Sequence, residues 1–163
     1  FQAAPSFVAG PAGTIPVSIA VAAFNADARL ALAVAMDNTT NVLICQGNGD
    51  GSFSLVNAPG VGSSPLWISA GDFNGDGKPD LMVANNGDST VSVLLGNGDE
   101  TFSSAATYPV GTHPTNLALA DLNGDGKLDV AVVNNGDSNT QVFLGEGNGT
   151  FRSGSYRVGA NPS

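Results

Sequence analysis

The chain is short of cations, sulfur and imidazole, and each shortage excludes something. Lys and Arg together number 5 against 14 Asp and Glu, a formal charge of −9. Such a chain repels polyanions, which excludes nucleic acid and anionic membrane as partners held by charge and leaves cations or neutral ligands. One cysteine, Cys45, excludes an internal disulfide framework and reads as a core thiol. One histidine, His113, leaves no triad to draw for nucleophilic catalysis, so no enzyme is expected from these residues alone. No apolar run approaches the roughly 20 residues of a membrane-spanning helix, and no basic stretch followed by an apolar one opens the chain. The absent initiator Met points to a processed or excised segment.

What is abundant is glycine, 22 of 163 residues, with only 12 % of the chain charged. That balance fits many short strands joined by turns and does not fit acidic disorder, coiled coils or helical bundles. A chain of this length buries roughly 70 % of its unfolded surface, enough for a real core.

Sliding the sequence against itself exposes one period. Asp72 and Asp121 are 49 residues apart, as are Phe53, Phe102 and Phe151 in succession, and residues 23–53, 72–102 and 121–151 align without a gap. Repeats of this length mean propellers, solenoids or arrays. Within a copy, residues 65–70 or 114–119 read as a first strand leading into an acidic glycine loop. The second strand, 81–84 or 130–133, is apolar at consecutive positions, so both its faces need covering. Asn86-Gly87-Asp88 and Asn135-Gly136-Asp137 supply hairpin turns in which Asn and Gly are expected to take positive φ. A third strand follows at 91–95 or 141–144, and a fourth is expected to begin at Phe102 or Phe151. A four-stranded meander that is apolar on both faces cannot bury itself alone, so the expected fold class is all-β, built of β-propeller blades. An ordinary β-sandwich is the weaker alternative, because identical spacing in three copies is hard to obtain by chance.

The boundaries follow: a surplus outer strand at 1–10, a first blade at 11–62, a second at 63–111 with its loop at 72–80, a third at 112–159 with its loop at 121–129, and a C-terminal end at 160–163. The architecture is thus three four-stranded antiparallel blades plus one surplus N-terminal outer strand.

Both intact loops spell D-x-N-x-D-G-x-x-D and hold six of the fourteen acids. Side-chain oxygens at loop positions 1, 3 and 5 converge when the backbone wraps around a point, Gly at position 6 permits the sharp turn, and position 7 adds a carbonyl. Crowded carboxylates repel one another unless a cation sits among them. A flexible cage of hard oxygens suits Ca²⁺ better than Mg²⁺. The candidate ligands are Asp72, Asn74, Asp76, Lys78 and Asp80 for one ion, and Asp121, Asn123, Asp125, Lys127 and Asp129 for a second, each Lys through its carbonyl. An EF-hand would need Glu at position 12, where Val83 and Val132 stand, and flanking helices. A dockerin-like pair of helices fails for the same reason. In the first copy Ala23, Asn25, Asp27, Arg29 and Ala31 occupy positions 1, 3, 5, 7 and 9, and Ala28 replaces the glycine. That loop is expected to be metal-free, with Arg29 or a water partly replacing the cation.

These loops, together with the segments Leu-Leu-Gly-Asn-Gly-Asp-Glu-Thr-Phe and Leu-Gly-Glu-Gly-Asn-Gly-Thr-Phe and Tyr108-Pro109-Val110-Gly111, resemble the FG-GAP/VCBS repeat family, whose blades are similar to those of the integrin α-subunit head. The resemblance covers nearly the whole chain. It implies Ca²⁺ in the loops of a β-propeller, commonly seven-bladed, and roles in adhesion, carbohydrate binding or scaffolding of enzymes.

The fourth-strand segment occurs four times and the other three strands three times, so the ends do not close. Three blades make no ring, and the terminal faces should expose apolar surface unless another chain covers them. The chain is then either part of a larger propeller or associates with other copies of itself, the 1–10 strand pairing with a neighbour's edge. Association is the favoured expectation. The expected function is that of a calcium-binding module, extracellular or at the cell surface, in structural assembly or adhesion. Alternatives are a carbohydrate-binding module, with Trp67, Tyr108 or Tyr156 as the aromatic platform, or the non-catalytic propeller of a larger secreted enzyme such as a polysaccharide lyase. A glycan or protein ligand is possible in the first two cases. Asn38-Thr39-Thr40 and Asn148-Gly149-Thr150 fit the N-glycosylation pattern.

Overall fold

The computed structural model describes residues 13–158, with the side chains of 154–158 left out of the description. Twelve strands and no helix make up this part. They are β1 (Ile15–Ala22), β2 (Ala31–Asp37), β3 (Val42–Gly47), β4 (Phe53–Asn57), β5 (Pro65–Gly71), β6 (Asp80–Asn85), β7 (Thr90–Leu94), β8 (Ala106–Pro109), β9 (Pro114–Ala120), β10 (Asp129–Asn134), β11 (Asn139–Gly145) and β12 (Phe151–Val158). Each run of four pairs in chain order into one antiparallel meander, giving sheets β1–β4, β5–β8 and β9–β12. The innermost strands β1, β5 and β9 lie side by side, so the sheets stack face to face as β-propeller blades. The surplus strand expected at 1–10 lies outside the described residues, as does the C-terminal end at 160–163.

The apolar second strands explain the stacking. Every residue of β6 is buried, because one face packs on the first blade and the other on the third. Leu81 and Val83 join Ala33, Ala35 and Ile44 of the first blade in one core cluster. Met82 and Ala84, pointing the other way, join Val130, Val132 and Phe143 of the third. The alternation of successive side chains across a strand thus splits one sequence run between two cores. Cys45 is buried at 1 % exposure, in a third cluster with Val34, Met36 and Leu43.

Each blade is locked to the next by an aromatic residue at loop position 2. Phe24 meets Phe102 edge to face with ring centroids 5.5 Å apart, and Phe73 meets Phe151 in the same way at 5.6 Å. The carbonyls of Phe24 and Phe73 accept hydrogen bonds from the Glu100 and Gly149 amides, both at 2.9 Å. These two contacts are one contact repeated after 49 residues. The glycine at the end of β11 and its equivalent two residues after β7 are equally constrained: a Cβ on Gly145 or Gly96 would sit 2.1 or 2.2 Å from the carbonyl oxygen of Leu128 or Pro79.

Three expectations need correction. In the hairpin turns the positive φ falls on Ser89 (57°) and Ser138 (51°), not on the Asn-Gly pair. Gly87 and Gly136 are required instead by close approach, since a Cβ there would meet the side chain of Ser63 or Thr112 within 3 Å. In the second blade the fourth strand begins at Ala106, and Phe102 forms only an isolated bridge with Gly96. Phe151 receives Phe73 as Phe102 receives Phe24 and still opens β12, so that contact does not set the later start in the second blade. Finally, Tyr108 is no exposed platform. Its ring packs edge-on against Phe143 and Phe151, and its Oη accepts a hydrogen bond from the Phe151 amide at 3.3 Å.

Because Phe73 fills the joint between the second and third blades at 3 % exposure, Phe73→Ala is expected to cost about 3–5 kcal/mol, read as a lowered urea midpoint.

Candidate metal centres

Both nine-residue loops connect the first strand of a blade to its second, and position 9 is the first residue of β6 or β10. Two glycines per loop carry the wrap at positive φ, Gly75 (75°) and Gly77 (79°) in one and Gly124 (79°) and Gly126 (83°) in the other. The position 1 carboxylates sit inside that wrap. Asp72 Oδ1 accepts from the Gly75 amide at 2.7 Å and its Oδ2 from the Gly77 amide at 2.9 Å. Asp121 does the same with Gly124 and Gly126, at 2.7 and 2.8 Å. Asn74 Oδ1 then accepts from the Asp76 amide, and Asp76 Oδ1 from the Lys78 amide. Asn123 and Asp125 repeat that ladder with the Asp125 and Lys127 amides.

Asp80 and Asp129 differ from the rest in being fully buried. Asp80 Oδ2 accepts from the Phe73 amide and its Oδ1 from the Gly96 amide, both at 2.8 Å. Asp129 is held by the Leu122 amide at 3.0 Å and the Gly145 amide at 2.8 Å. One carboxylate therefore ties the start of the loop to the end of the third strand. Gly96, sixteen residues away, was not among the candidate partners; the signal that finds it is the 49-residue spacing of Gly47, Gly96 and Gly145.

The electrostatics follow from this burial. Desolvation pushes the Asp80 carboxyl above its ordinary value, and the charges of Asp76 and Asp72 add to the rise, against the pull of the Gly96 and Phe73 amides. Two exposed acids go the other way, Asp76 and Asp121. The Lys78 amide lowers Asp76, and the Gly126 amide, with others of the loop, lowers Asp121. Lys78 Nζ stands 3.7 Å from Asp76 Oδ2 and Lys127 Nζ 3.8 Å from Asp125 Oδ2, both partly in solvent. Such pairs stabilise by little.

Among the described residues no three His, Cys, Asp or Glu side chains converge as a ready metal cluster. The structure brings each predicted set of ligands into one loop, with the carboxylate oxygens turned to separate amides. The donor chemistry still fits a hard cation: each loop offers three carboxylates, an amide oxygen and a carbonyl, and the buried Asp80 feels the like charges of Asp76 and Asp72.

The first copy keeps the ladder and loses the ends. The Asp27 amide donates to Asn25 Oδ1 and the Arg29 amide to Asp27 Oδ1, as in the intact loops. Ala28 takes the left-handed φ of 58° in place of glycine. Ala23 offers no carboxylate at position 1, and Ala31 is buried as a core residue at position 9. Gly47 then donates to the Leu30 carbonyl at 3.3 Å instead of to a carboxylate. Arg29 pairs with Asp27 at 3.8 Å, the same contact the two lysines make, so it is no special stand-in for a cation. Asn25 instead hydrogen-bonds the Glu100 carboxylate of the second blade.

Of the other candidates, Trp67 is partly buried against the second cluster and its Nε1 donates to Ser69 Oγ at 3.2 Å. The Tyr156 side chain lies outside the described part. His113 is exposed in the connector before β9, at a φ of 52°.

A model of the FG-GAP-like repeat matches the chain three times, at residues 24–83, 72–132 and 121–163. No curated protein matches. Among solved structures, a protein from Lactobacillus plantarum is similar over 90 % of this chain, with a TM-score of 0.56 and 15 % identity. The chain spans 42 % of that protein's length. At this identity the likeness concerns the fold.

In metal-free protein, a carboxyl-detected NMR titration is expected to place Asp80 above the ordinary carboxylate range and Asp76 and Asp121 below it. The sign for stability is opposite in the two groups: the contribution of Asp80 is present at low pH and lost as pH rises through its raised pKa, whereas those of Asp76 and Asp121 are lost as pH falls through their depressed values.

Proposed function

The chain belongs to the FG-GAP-like repeat family, and from that premise we propose that this β-propeller module binds two calcium ions, one in each intact loop, and serves structural assembly or adhesion outside the cell. The observation that carries the reading is the pair of loops 72–80 and 121–129. They present the same oxygens in the same register, each around a fully buried carboxylate, and at Asp80 burial and the charges of Asp76 and Asp72 disfavour the ionised form. A divalent ion at Asp72, Asn74, Asp76, the Lys78 carbonyl and Asp80 would offset that repulsion, and the second loop offers Asp121, Asn123, Asp125, the Lys127 carbonyl and Asp129 on the same terms. Because Asp80 and Asp129 also brace the third strand, an ion there would stiffen the joint between loop and blade.

Millimolar calcium outside cells suffices for sites of this kind, which favours an extracellular or cell-surface location. The proposed role is non-catalytic. The clustered acids are engaged with loop amides, and His113 sits alone on an exposed connector. The carbohydrate-binding alternative loses support, since Tyr108 and Trp67 are used in packing.

Isothermal titration with calcium is expected to give two ions per chain. Asp76→Ala and Asp125→Ala should each remove one, and Asp27→Ala should leave the number at two. A stoichiometry of zero overturns the reading. With calcium at a hundredfold excess over Kd, each site is expected to add about 2.7 kcal/mol of stability, so chelation should lower the melting temperature, and less so in either single-site variant.

A further inference from the structure

Residue 100 departs from its own repeat. Its equivalents Gly51 and Gly149 are glycines at φ of 90° and 83°, and Glu100 keeps the same left-handed backbone at 69°. A side chain there is strained, since only glycine takes that conformation without crowding at Cβ. Strain kept in one copy of a repeat points to a use for its side chain.

The first blade holds Glu100 at three points. Its carboxylate accepts a hydrogen bond from Asn25 Nδ2, its carbonyl accepts one from Asn57 Nδ2 at 2.8 Å, and its amide donates to the Phe24 carbonyl at 2.9 Å. Asn25 Oδ1 accepts from the Asp27 amide, so one side chain couples the ladder of the first loop to the second blade. In the next joint the Gly149 amide still donates to the Phe73 carbonyl. Gly149 has no carboxylate to offer Asn74, however, and Ala106, the equivalent of Asn57, has no side-chain amide. The further tie of that joint, from the Phe151 amide to Tyr108 Oη, lies on the fourth-strand phenylalanine and not on the loop. Glu100 therefore serves the loop with Ala23 and Ala31 at positions 1 and 9, whereas the loop that meets Gly149 has Asp72 and Asp80 there.

We infer that Glu100 is an inter-blade clasp that fixes the degenerate first loop as an ion would fix an intact one, so that the first joint holds without calcium while the second loosens. A hydrogen bond to a carboxylate is among the stronger ones, which suits it to that task. The clasp itself stands on the hydrogen bonds and the retained strain. Only the contrast between the two joints rests on the calcium proposal.

The amides of Glu100 and Gly149 are matched reporters, each donating to a position 2 carbonyl at 2.9 Å. In native-state hydrogen exchange read by NMR, chelation is expected to lower the protection factor of Gly149 about tenfold or more and that of Glu100 by less than about twofold. Two variants studied in chelator test the clasp without calcium. Glu100→Gly removes the carboxylate and relieves the backbone, and Asn25→Asp keeps Oδ1 for the Asp27 amide but sets a second carboxylate against Glu100. Each is expected to lower protection of the residue 100 amide roughly tenfold. Unchanged or raised protection in either variant overturns the clasp. A loss at Glu100 on chelation equal to that at Gly149, whether local or by global unfolding, overturns it as well. A Gly149 amide indifferent to chelation overturns the contrast between joints and counts against the calcium reading, while the two variants still decide the clasp.

Discussion

The structure depends on one constraint: a four-stranded sheet that is apolar on both faces needs a neighbour on each. The second strand of the middle blade meets it fully, with Leu81 and Val83 facing one way and Met82 and Ala84 the other. The terminal blades meet it on one side only among the described residues. Val133 on the third blade and Ile19 and Val21 on the first carry the consequence as exposed apolar surface. Stability in such arrays is close to a sum of repeat and nearest-neighbour terms, so each joint between blades contributes its own share.

Within that frame the acidic loops do two things. They carry the chain from the inner strand to the second strand, and they deliver the position 2 side chain into the next blade. The buried carboxylate at position 9 fixes both ends of this device by accepting one amide from the loop and one from the end of the third strand. The degenerate first loop separates the two jobs. It retains the Asn25–Asp27–Arg29 ladder and still delivers Phe24 to Phe102, although positions 1 and 9 are alanine. Blade locking therefore does not require the carboxylates, and their presence in the other two loops calls for a separate explanation, which the calcium proposal supplies.

The reach of sequence reasoning differed with the range of the interaction. Register within each loop was legible, because alternating oxygens and a glycine at position 6 are local chemistry. The location of the strands was legible from runs such as Leu81–Ala84 and from the 49-residue period. Three features depended on neighbours far along the chain. Gly87 and Gly136 are held against the incoming connector, and the left-handed backbone falls two residues later, on Ser89 and Ser138. Gly96 and Gly145 are held against the carbonyls of Pro79 and Leu128. Tyr108 is drawn inward because Phe143 and Phe151 of the next blade cover it.

The amino acids by themselves determined that there are three copies, that two loops carry a full set of hard oxygen donors, and that each meander is too apolar to stand alone. These follow from composition and spacing over a few residues. Only the tertiary structure decided which aromatic rings lock blades together, which carboxylates are buried, and which glycines are held against a neighbouring carbonyl. Those outcomes depend on how one sheet seats on the next, and a face becomes a joint or an open surface only when its neighbour is in place.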